Sequence, residues 1–187
     1  MSSDRWQKSD EDADPLQGRH LRLTGVFVIV VAVGLVGGWI FRSADNDTAT
    51  VGQVAPDFEV ENFETKEPII LSSLIEGDDR PIVINLMASW CGPCREEIPA
   101  LSAFADANTG VIVLGVGVDD RLADFELFIA EVQPTYPVGF DEGAMREKYP
   151  TLGLPATFFL NSDGEIVEVF NGILDQELLE GMVGGLN

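Results

Sequence analysis

The chain has 187 residues, 45% of them apolar, and carries 32 Asp and Glu against 11 Lys and Arg, a formal net charge of −21. This length and apolar content predict one domain of ordinary size with appendages, and exclude a disordered tail or a disulfide-stapled miniprotein. The negative charge repels phosphate backbones, so we expect no nucleic-acid partner. The surplus of acids lies after Arg42, which fits a protein from a salty habitat and equally an ordinary acidic domain.

Residues 23–41 form an uncharged run of 19 residues, mostly Val, Ile, Leu, Phe and Gly. A helix of that length measures about 28 Å, close to the thickness of a bilayer's hydrocarbon core. We expect an uncleaved transmembrane anchor. A cleaved signal peptide is the alternative, but its apolar run is usually about 7–15 residues. Because most nearby Lys and Arg precede the run, residues 1–22 are predicted to be cytoplasmic and the remainder extracytoplasmic.

The segment 42–53 is polar and is predicted to be a linker, followed by a folded domain over 54–187. Short strands are predicted at 57–60 and 69–71. The nearly continuous apolar run at 81–88 is typical of a central strand that is buried on both faces of a sheet.

A helix is predicted at 94–107 and a second buried strand at 111–118. A short helix is expected at 143–149. Between the strand at 111–118 and this short helix, apolar residues recur at helical spacing and indicate a further helix: Leu122, Phe125, Phe128, Ile129 and Val132.

Near the end of the chain, 157–160 and 166–170 are predicted to form a hairpin around Ser-Asp-Gly at 162–164. A final helix is expected after Asp175, a good N-cap residue. Its apolar face consists of Leu178, Leu179, Met182 and Val183. The alternation of strands and helices predicts an α/β fold, with a mixed central sheet and helices on both faces.

The two cysteines of the chain, Cys91 and Cys94, lie where the first central strand is predicted to meet its helix. The positive end of a helix dipole favours a thiolate, so Cys91 is predicted to be the nucleophile. Cys94 shares the predicted apolar face of the helix with Ile98 and Leu101. We therefore expect Cys94 to be the buried thiol that resolves a mixed disulfide.

A cysteine pair can also bind zinc or form a purely structural disulfide. A zinc site needs four ligands, but the one histidine, His20, precedes the apolar run, and we expect no metal. A purely structural disulfide is permitted outside the cytoplasm, although so small a loop adds little stability.

Residues 90–94 read Trp-Cys-Gly-Pro-Cys after an apolar strand, and 153–158 read Gly-Leu-Pro-Ala-Thr-Phe. Further motifs are Gly-Gln-Val-Ala-Pro-Asp-Phe at 52–58, Asn-Leu-Met-Ala-Ser-Trp at 85–90 and Arg-Glu-Glu-Ile-Pro at 95–99. Over 52–187 the chain resembles the TlpA/ResA/CcmG branch of membrane-anchored, thioredoxin-fold oxidoreductases. The resemblance implies a thioredoxin-like fold, and we expect no cofactor.

The resemblance also implies which residues meet a substrate. Pro155 corresponds to the family's cis-proline, packed opposite the sulfurs, and Leu154 offers backbone groups to an extended substrate chain. An X-Pro bond just before a strand is itself a reason to expect an unusual peptide bond, with an ordinary trans proline as the alternative. Contacts with the substrate are also expected around the sulfurs, at Trp90, Gly92 and Pro93.

Asn85 stands where thioredoxin has a buried Asp, and an Asn cannot take a proton from Cys94. On a helical wheel Glu97 turns toward Cys94, whereas Glu96 points to solvent. The resemblance implies a functional acid at Glu97, and a buried carboxyl would have a raised pKa and could exchange protons with a thiol. The alternative is an acid of the helix's first turn, favoured by the dipole.

These residues predict a thiol-disulfide oxidoreductase in which the Cys91 thiolate attacks a client disulfide and Cys94 releases the reduced client. The resemblance implies apocytochromes c as clients and a membrane thiol-electron transporter as reductant. A thiol peroxidase is a second possibility, because Ala-Pro-Asp-Phe also opens peroxiredoxins. Their Pro-x-x-x-Thr/Ser-x-x-Cys pattern is absent before both cysteines. A non-catalytic docking module on a thioredoxin scaffold is the third.

Overall fold

A mixed β-sheet of seven strands runs through the part of the chain that the computed structural model describes, residues 48–186. The elements in chain order are β1 (Glu59–Asn62), β2 (Pro68–Ile70), α1 (Leu71–Gly77), β3 (Ile82–Met87), α2 (Gly92–Ala107), β4 (Ile112–Gly117), α3 (Leu122–Val132), β5 (Val138–Phe140), α4 (Met145–Lys148), β6 (Ala156–Leu160), β7 (Ile166–Asn171) and α5 (Gln176–Val183).

The strands lie in the order β2-β1-β5-β4-β3-β6-β7. β3, β4 and β5 are parallel, and the outer strands pair antiparallel. Helix α2 joins β3 to β4 and helix α3 joins β4 to β5, as parallel neighbours require a crossover connection. The predicted mixed central sheet is confirmed.

Strand β3 is buried along its whole length, which explains its nearly continuous apolar sequence. Successive side chains point to opposite faces of a strand, so Val83 and Met87 join the core beneath α2, whereas Ile84 and Leu86 join the core on the other face. Asn85 belongs by this alternation to the α2 face. It is the polar residue of an otherwise apolar strand, and it is fully buried.

Each face of the sheet is covered by helices. The α2 face holds α2, α3 and α5, through buried residues that include Leu101, Phe125 and Leu179. The opposite face holds α1 and α4, through Leu71 and Met145. Helices on both faces were predicted, and the structure confirms them.

Two elements were not predicted, α1 and β5, and α2 begins at Gly92 rather than at residue 94. The N-cap residue of α1, Ile70, makes no capping hydrogen bond, and Ser72 N of the first turn instead donates to the distant Asp57 carboxylate at 2.9 Å, so the local sequence carries no start signal. β5 has three residues and is paired on both sides, with β1 and β4. At its centre, a side chain on Gly139 would place a Cβ 2.3 Å from Val60 Cγ2. Neighbouring strands therefore define β5 more than its own sequence does.

The predicted cytoplasmic segment 1–22 and the predicted span 23–41 lie outside the described residues, as does the first half of the predicted linker, residues 42–47. Within 48–186, the helices are all too short or too polar to cross a bilayer. The chain just before the predicted domain start is hydrogen-bonded to the domain: Ala49 N donates to Lys148 O at 2.6 Å and Gly52 N to Ile166 O at 2.8 Å.

Candidate active site

The cysteines lie at the turn between β3 and α2, at the sheet edge where the parallel strands end. Cys91 is the N-cap residue of α2, and its sulfur accepts a hydrogen bond from Cys94 N at 3.1 Å. The two sulfurs form a disulfide with an S–S distance of 2.01 Å. Cys91 is 3% exposed and Cys94 is fully buried. A partner can therefore reach the pair only from the Cys91 side.

The surface around Cys91 is partly apolar and open. Trp90 is 62% exposed, and its indole N–H donates to Asp119 O at 3.0 Å. Gly92 and Pro93 are also exposed. The hydrogen bond from Trp90 to Asp119 holds the indole ring in place, while most of the Trp90 side chain stays exposed to solvent.

The loop before β6 lies at the same sheet edge. The Leu154–Pro155 peptide bond is cis, as the resemblance implied. Because Ala156 is paired with Leu86 near the end of β3, Pro155 lies level with the start of the cysteine turn. Pro155 is buried and Leu154 is half-buried.

A charged network that the sequence did not predict holds the cysteine turn. The Asp120 carboxylate accepts hydrogen bonds from Ser89 N and from Ser89 Oγ, the latter at 2.8 Å. Arg95 donates to Ser89 O from the other side, and its guanidinium lies 4.8 Å from the centre of the Phe128 ring. The acidic pair Asp119-Asp120, which follows β4, could have indicated this network in the sequence, because β3 and β4 end side by side.

Glu97 is fully buried, whereas Glu96 is exposed, so the predicted orientation of these two side chains is confirmed. Asn85 Nδ2 donates to Glu97 Oε1 at 2.7 Å, and Leu174 N donates to Glu97 Oε2 at 3.2 Å. Glu97 shares the buried face of α2 with Cys94. The carboxyl is thus held between β3 and the segment before α5.

The alternative role for Glu97, an acid in the first turn of the helix, does not fit. Helix α2 begins at Gly92, two residues earlier than predicted, and its first turn contains no acidic residue. Glu97 therefore lies beyond the first turn, where the favourable effect of the dipole has largely fallen off. Its position is explained by its contacts in the core.

Burial raises the pKa of Glu97 from its usual value of 4.5 to about 7, although the hydrogen bonds from Asn85 and Leu174 lower it. Removing a carboxylate from water disfavours its charged form, and here that effect is larger than the two hydrogen bonds. Near neutral pH the group is therefore divided between acid and base. It is able both to accept and to release a proton.

Comparison with known proteins agrees with this site. The model of the AhpC/TSA family matches residues 51–169. The chain belongs to the AhpC/TSA family. Among its relatives, the thiol-disulfide oxidoreductase ResA of Oceanobacillus iheyensis is 29% identical over 175 residues, which cover 91% of this chain and 90% of ResA. The thiol:disulfide interchange protein HelX of Rhodobacter capsulatus is 30% identical, over 81% of this chain and 88% of HelX.

Among solved structures, a thiol:disulfide interchange protein DsbE of Chlorobium tepidum superposes with a TM-score of 0.65 at 26% identity, over 75% of this chain and all of DsbE. The predicted thioredoxin-like fold is confirmed. The predicted enzyme class, a thiol-disulfide oxidoreductase, is confirmed as well. A thiol-disulfide oxidoreductase needs a pair of cysteines, and in this chain the pair is Cys91 and Cys94.

Sequence reasoning did not identify the groups that hold Glu97 from distant elements. Thr157 of β6 accepts a hydrogen bond from Asn85 Nδ2 at 3.0 Å, and Leu174 supplies its backbone N–H. Tyr136, in the segment before β5, is buried in the same core as Cys94. The sequence does not indicate the contact between Leu174 N and Glu97, because nearly every residue type has a backbone N–H. Tyr136 reads in the sequence as an ordinary core aromatic.

Replacing Glu97 with Gln should remove a pH-dependent part of the protein's stability. A carboxyl with a pKa of 4.5 when unfolded and about 7 when folded binds more protons in the folded state between these values. The free energy of unfolding therefore falls as pH rises through this range, by up to about 3 kcal/mol. Urea denaturation of the oxidised protein at several pH values measures this slope.

The matched control for this experiment is Glu96→Gln, at an exposed position of the same helix. It should keep the wild-type dependence of stability on pH. Glu97→Gln should lose the slope between pH 4.5 and about 7. The same slope in Glu97→Gln as in the wild type would contradict the raised pKa.

Proposed function

We propose that this protein is an extracytoplasmic, membrane-anchored reductase of disulfide bonds in client proteins. The observation that carries the proposal is the buried Glu97 carboxyl, with its pKa raised to about 7, on the same helix face as Cys94. Each turnover of a dithiol requires Cys94 to lose and regain a proton. A group able to hold that proton beside a buried sulfur is what a disulfide reductase requires.

The reaction begins with the thiolate of Cys91, favoured by its place at the N-terminus of α2. The thiolate attacks one sulfur of the client disulfide, so a bond forms between Cys91 and the client while the client's own S–S bond breaks. The second client sulfur leaves as a thiolate and takes a proton from water. Cys91 is the less buried sulfur, which fits this role.

The second step releases the client. The Cys94 thiol gives its proton to the Glu97 carboxylate, and the Cys94 sulfur then attacks Cys91. The bond between Cys91 and the client breaks, and the client sulfur leaves as a thiolate that takes a proton from water. The client has now gained two electrons, and Cys91 and Cys94 form the disulfide seen in the structure. When an external dithiol reduces the pair again, Glu97 returns the proton to Cys94.

The client is proposed to bind across the surface around Cys91. Trp90, Gly92 and Pro93 are exposed on one side of the sulfur. On the other side, Leu154 precedes the cis bond to Pro155 at the start of β6. An extended client segment between these two walls would present its disulfide to Cys91.

The predicted anchor at 23–41 and the positive charges before it support a catalytic domain outside the cytoplasm. At that location cytosolic reductants are out of reach. We therefore propose that a membrane thiol-electron transporter reduces the Cys91–Cys94 disulfide. Apocytochromes c are the proposed clients, because their haem-attachment cysteines must be reduced before haem is ligated.

The reduced protein should reduce the disulfide of an oxidised Cys-x-x-Cys-His peptide, a probe for the haem-attachment site, and become oxidised itself. Cys94→Ser should accumulate a mixed disulfide through Cys91, because the resolving thiol is missing. Cys91→Ser is the control and should form none. Thiol trapping followed by mass spectrometry measures all three reactions.

Two outcomes would contradict this assignment. Trapping by Cys91→Ser and not by Cys94→Ser would reverse the roles of the two sulfurs. If the oxidised protein instead oxidises the dithiol peptide while the reduced protein leaves the disulfide intact, the protein is an oxidant rather than a reductase.

The proposed location predicts that a reporter fused after residue 187 is active only outside the cytoplasm. Alkaline phosphatase needs disulfides and so reports an extracytoplasmic position, and a green fluorescent protein fusion is the complementary cytoplasmic control. The mature protein should also keep residues 1–22. A mature chain that begins near residue 44 would show that 23–41 is a cleaved signal peptide.

A further inference from the structure

Two buried polar atoms on the α2 side of the sheet have no hydrogen-bond partner within the described residues: Asn85 Oδ1 and the Tyr136 hydroxyl. Asn85 is fully buried and Tyr136 is 5% exposed. Protein interiors seldom leave such atoms unpaired, because each has lost its hydrogen bonds to water and gained none in return. The reaction proposed above uses neither atom.

The amide of Asn85 is oriented by its two donated hydrogen bonds. Its nitrogen donates to Thr157 Oγ1 of β6 and to Glu97 Oε1. Nitrogen and oxygen lie on opposite branches of a planar amide, so Oδ1 faces away from β6 and toward β4. The residue of β4 paired with Asn85 is Gly115, which has no side chain.

The ring of Tyr136 occupies the space beside Gly115. A Cβ placed on Gly115 would lie 3.1 Å from Tyr136 Cε2. The ring belongs to the apolar cluster that contains Cys94 and Ile98. Tyr136 therefore lies on the α2 face of the sheet. Its ring is beside Gly115, toward which the unpaired Oδ1 of Asn85 points.

The hydroxyl of Tyr136 is also close enough to Glu97 for the two groups to interact. Burial raises the pKa of Tyr136, and the charge of Glu97 raises it further. The hydroxyl therefore remains protonated, and remains a hydrogen-bond donor, throughout the range in which Glu97 titrates.

We propose that Tyr136 is a positioning residue for Glu97: its hydroxyl donates to one enclosed water, which in turn donates to Asn85 Oδ1 and to the Glu97 carboxylate. A buried water typically makes about three hydrogen bonds to groups that would otherwise be unpaired. This arrangement pairs both atoms and adds a third donor to the carboxylate, beside Asn85 Nδ2 and Leu174 N. Tyr136 thus stabilises the charged form of Glu97.

The other groups around Glu97 do not supply this stabilisation. Cys94 lies on the same face of α2, but it is bonded to Cys91 in the oxidised protein and does not titrate there. No Lys or Arg of the described residues contributes to the pKa of Glu97. Strand β3 contributes Asn85, and the segment before α5 contributes Leu174 N, neither of which titrates.

The test replaces Tyr136 with Phe, which removes the hydroxyl and keeps the ring that fills the space beside Gly115. The variant should fold like the wild type, because the hydroxyl has no partner among the described protein groups. The pKa of Glu97 in the oxidised full-length protein, followed by carboxyl ¹³C NMR, should rise by about one unit. In the reduced protein, the midpoint of the pH profile for disulfide exchange should rise by the same amount.

The matched control is Tyr149→Phe. Tyr149 is fully buried in the core on the opposite face of the sheet, and its hydroxyl donates to Pro56 O. Its loss should lower stability and leave both the pKa of Glu97 and the exchange profile unchanged. A change in these two quantities is therefore not a general result of removing a buried tyrosine hydroxyl.

The kinetic part of this inference rests on the proposed function, and the two measurements separate them. A wild-type pKa of Glu97 in Tyr136→Phe overturns the positioning role. A raised pKa with an unchanged exchange profile supports the positioning role and overturns the proton transfer proposed for Glu97. A rise in both the pKa and the midpoint supports both.

Discussion

The contact between the Glu97 carboxyl and the Asn85 amide is the interaction on which the rest of the site depends. It joins helix α2 to the central strand β3 at 2.7 Å. A buried carboxylate without partners would be very unfavourable, and the group would stay protonated. The hydrogen bonds from Asn85 and Leu174 offset part of that cost. The result is a pKa of about 7, where a proton can move in either direction.

The sheet explains how the remaining parts of the site come together. β3 and β4 are parallel and end side by side, so Asp120, which follows β4, reaches Ser89 in the cysteine turn. β6 runs antiparallel to β3 and begins where β3 ends, which brings the cis bond before Pro155 to the same edge. Strand ends thus hold the reactive sulfur in a fixed frame, while Trp90 remains open to a client.

The sequence predicted those parts of the site that depend on local pattern. The apolar run of β3, the cysteine pair at a helix start and the inward direction of Glu97 follow from periodicity and from residues that are close in the chain. The inward orientation of Glu97 was predicted correctly because a helix places residues three apart on the same face, and Cys94 already marked the buried face. The TlpA/ResA/CcmG resemblance added the cis bond before Pro155.

The parts that were not predicted depend on residues far apart in the chain. β5 is a strand because β1 and β4 lie on either side of it, and the first turn of α1 is capped by Asp57, 15 residues before Ser72, rather than by its own N-cap residue. Leu174 reaches Glu97 through its backbone N–H, which any residue type could supply. Tyr136 has the hydropathy of an ordinary core residue, and only the fold brings it beside Gly115. Such contacts follow from tertiary packing, and periodicity carries no information about them.

Glu97 is proposed to exchange a proton with Cys94 during disulfide exchange. The most direct measurement is the rate at which the reduced protein reduces a client disulfide, followed against pH for the wild type, Glu97→Gln and Glu96→Gln. If Glu97 transfers this proton, Glu97→Gln should slow the reaction by about 10²–10⁴-fold and abolish the titration near pH 7, while Glu96→Gln should behave like the wild type. Equal rates and equal pH profiles for the two variants would contradict it.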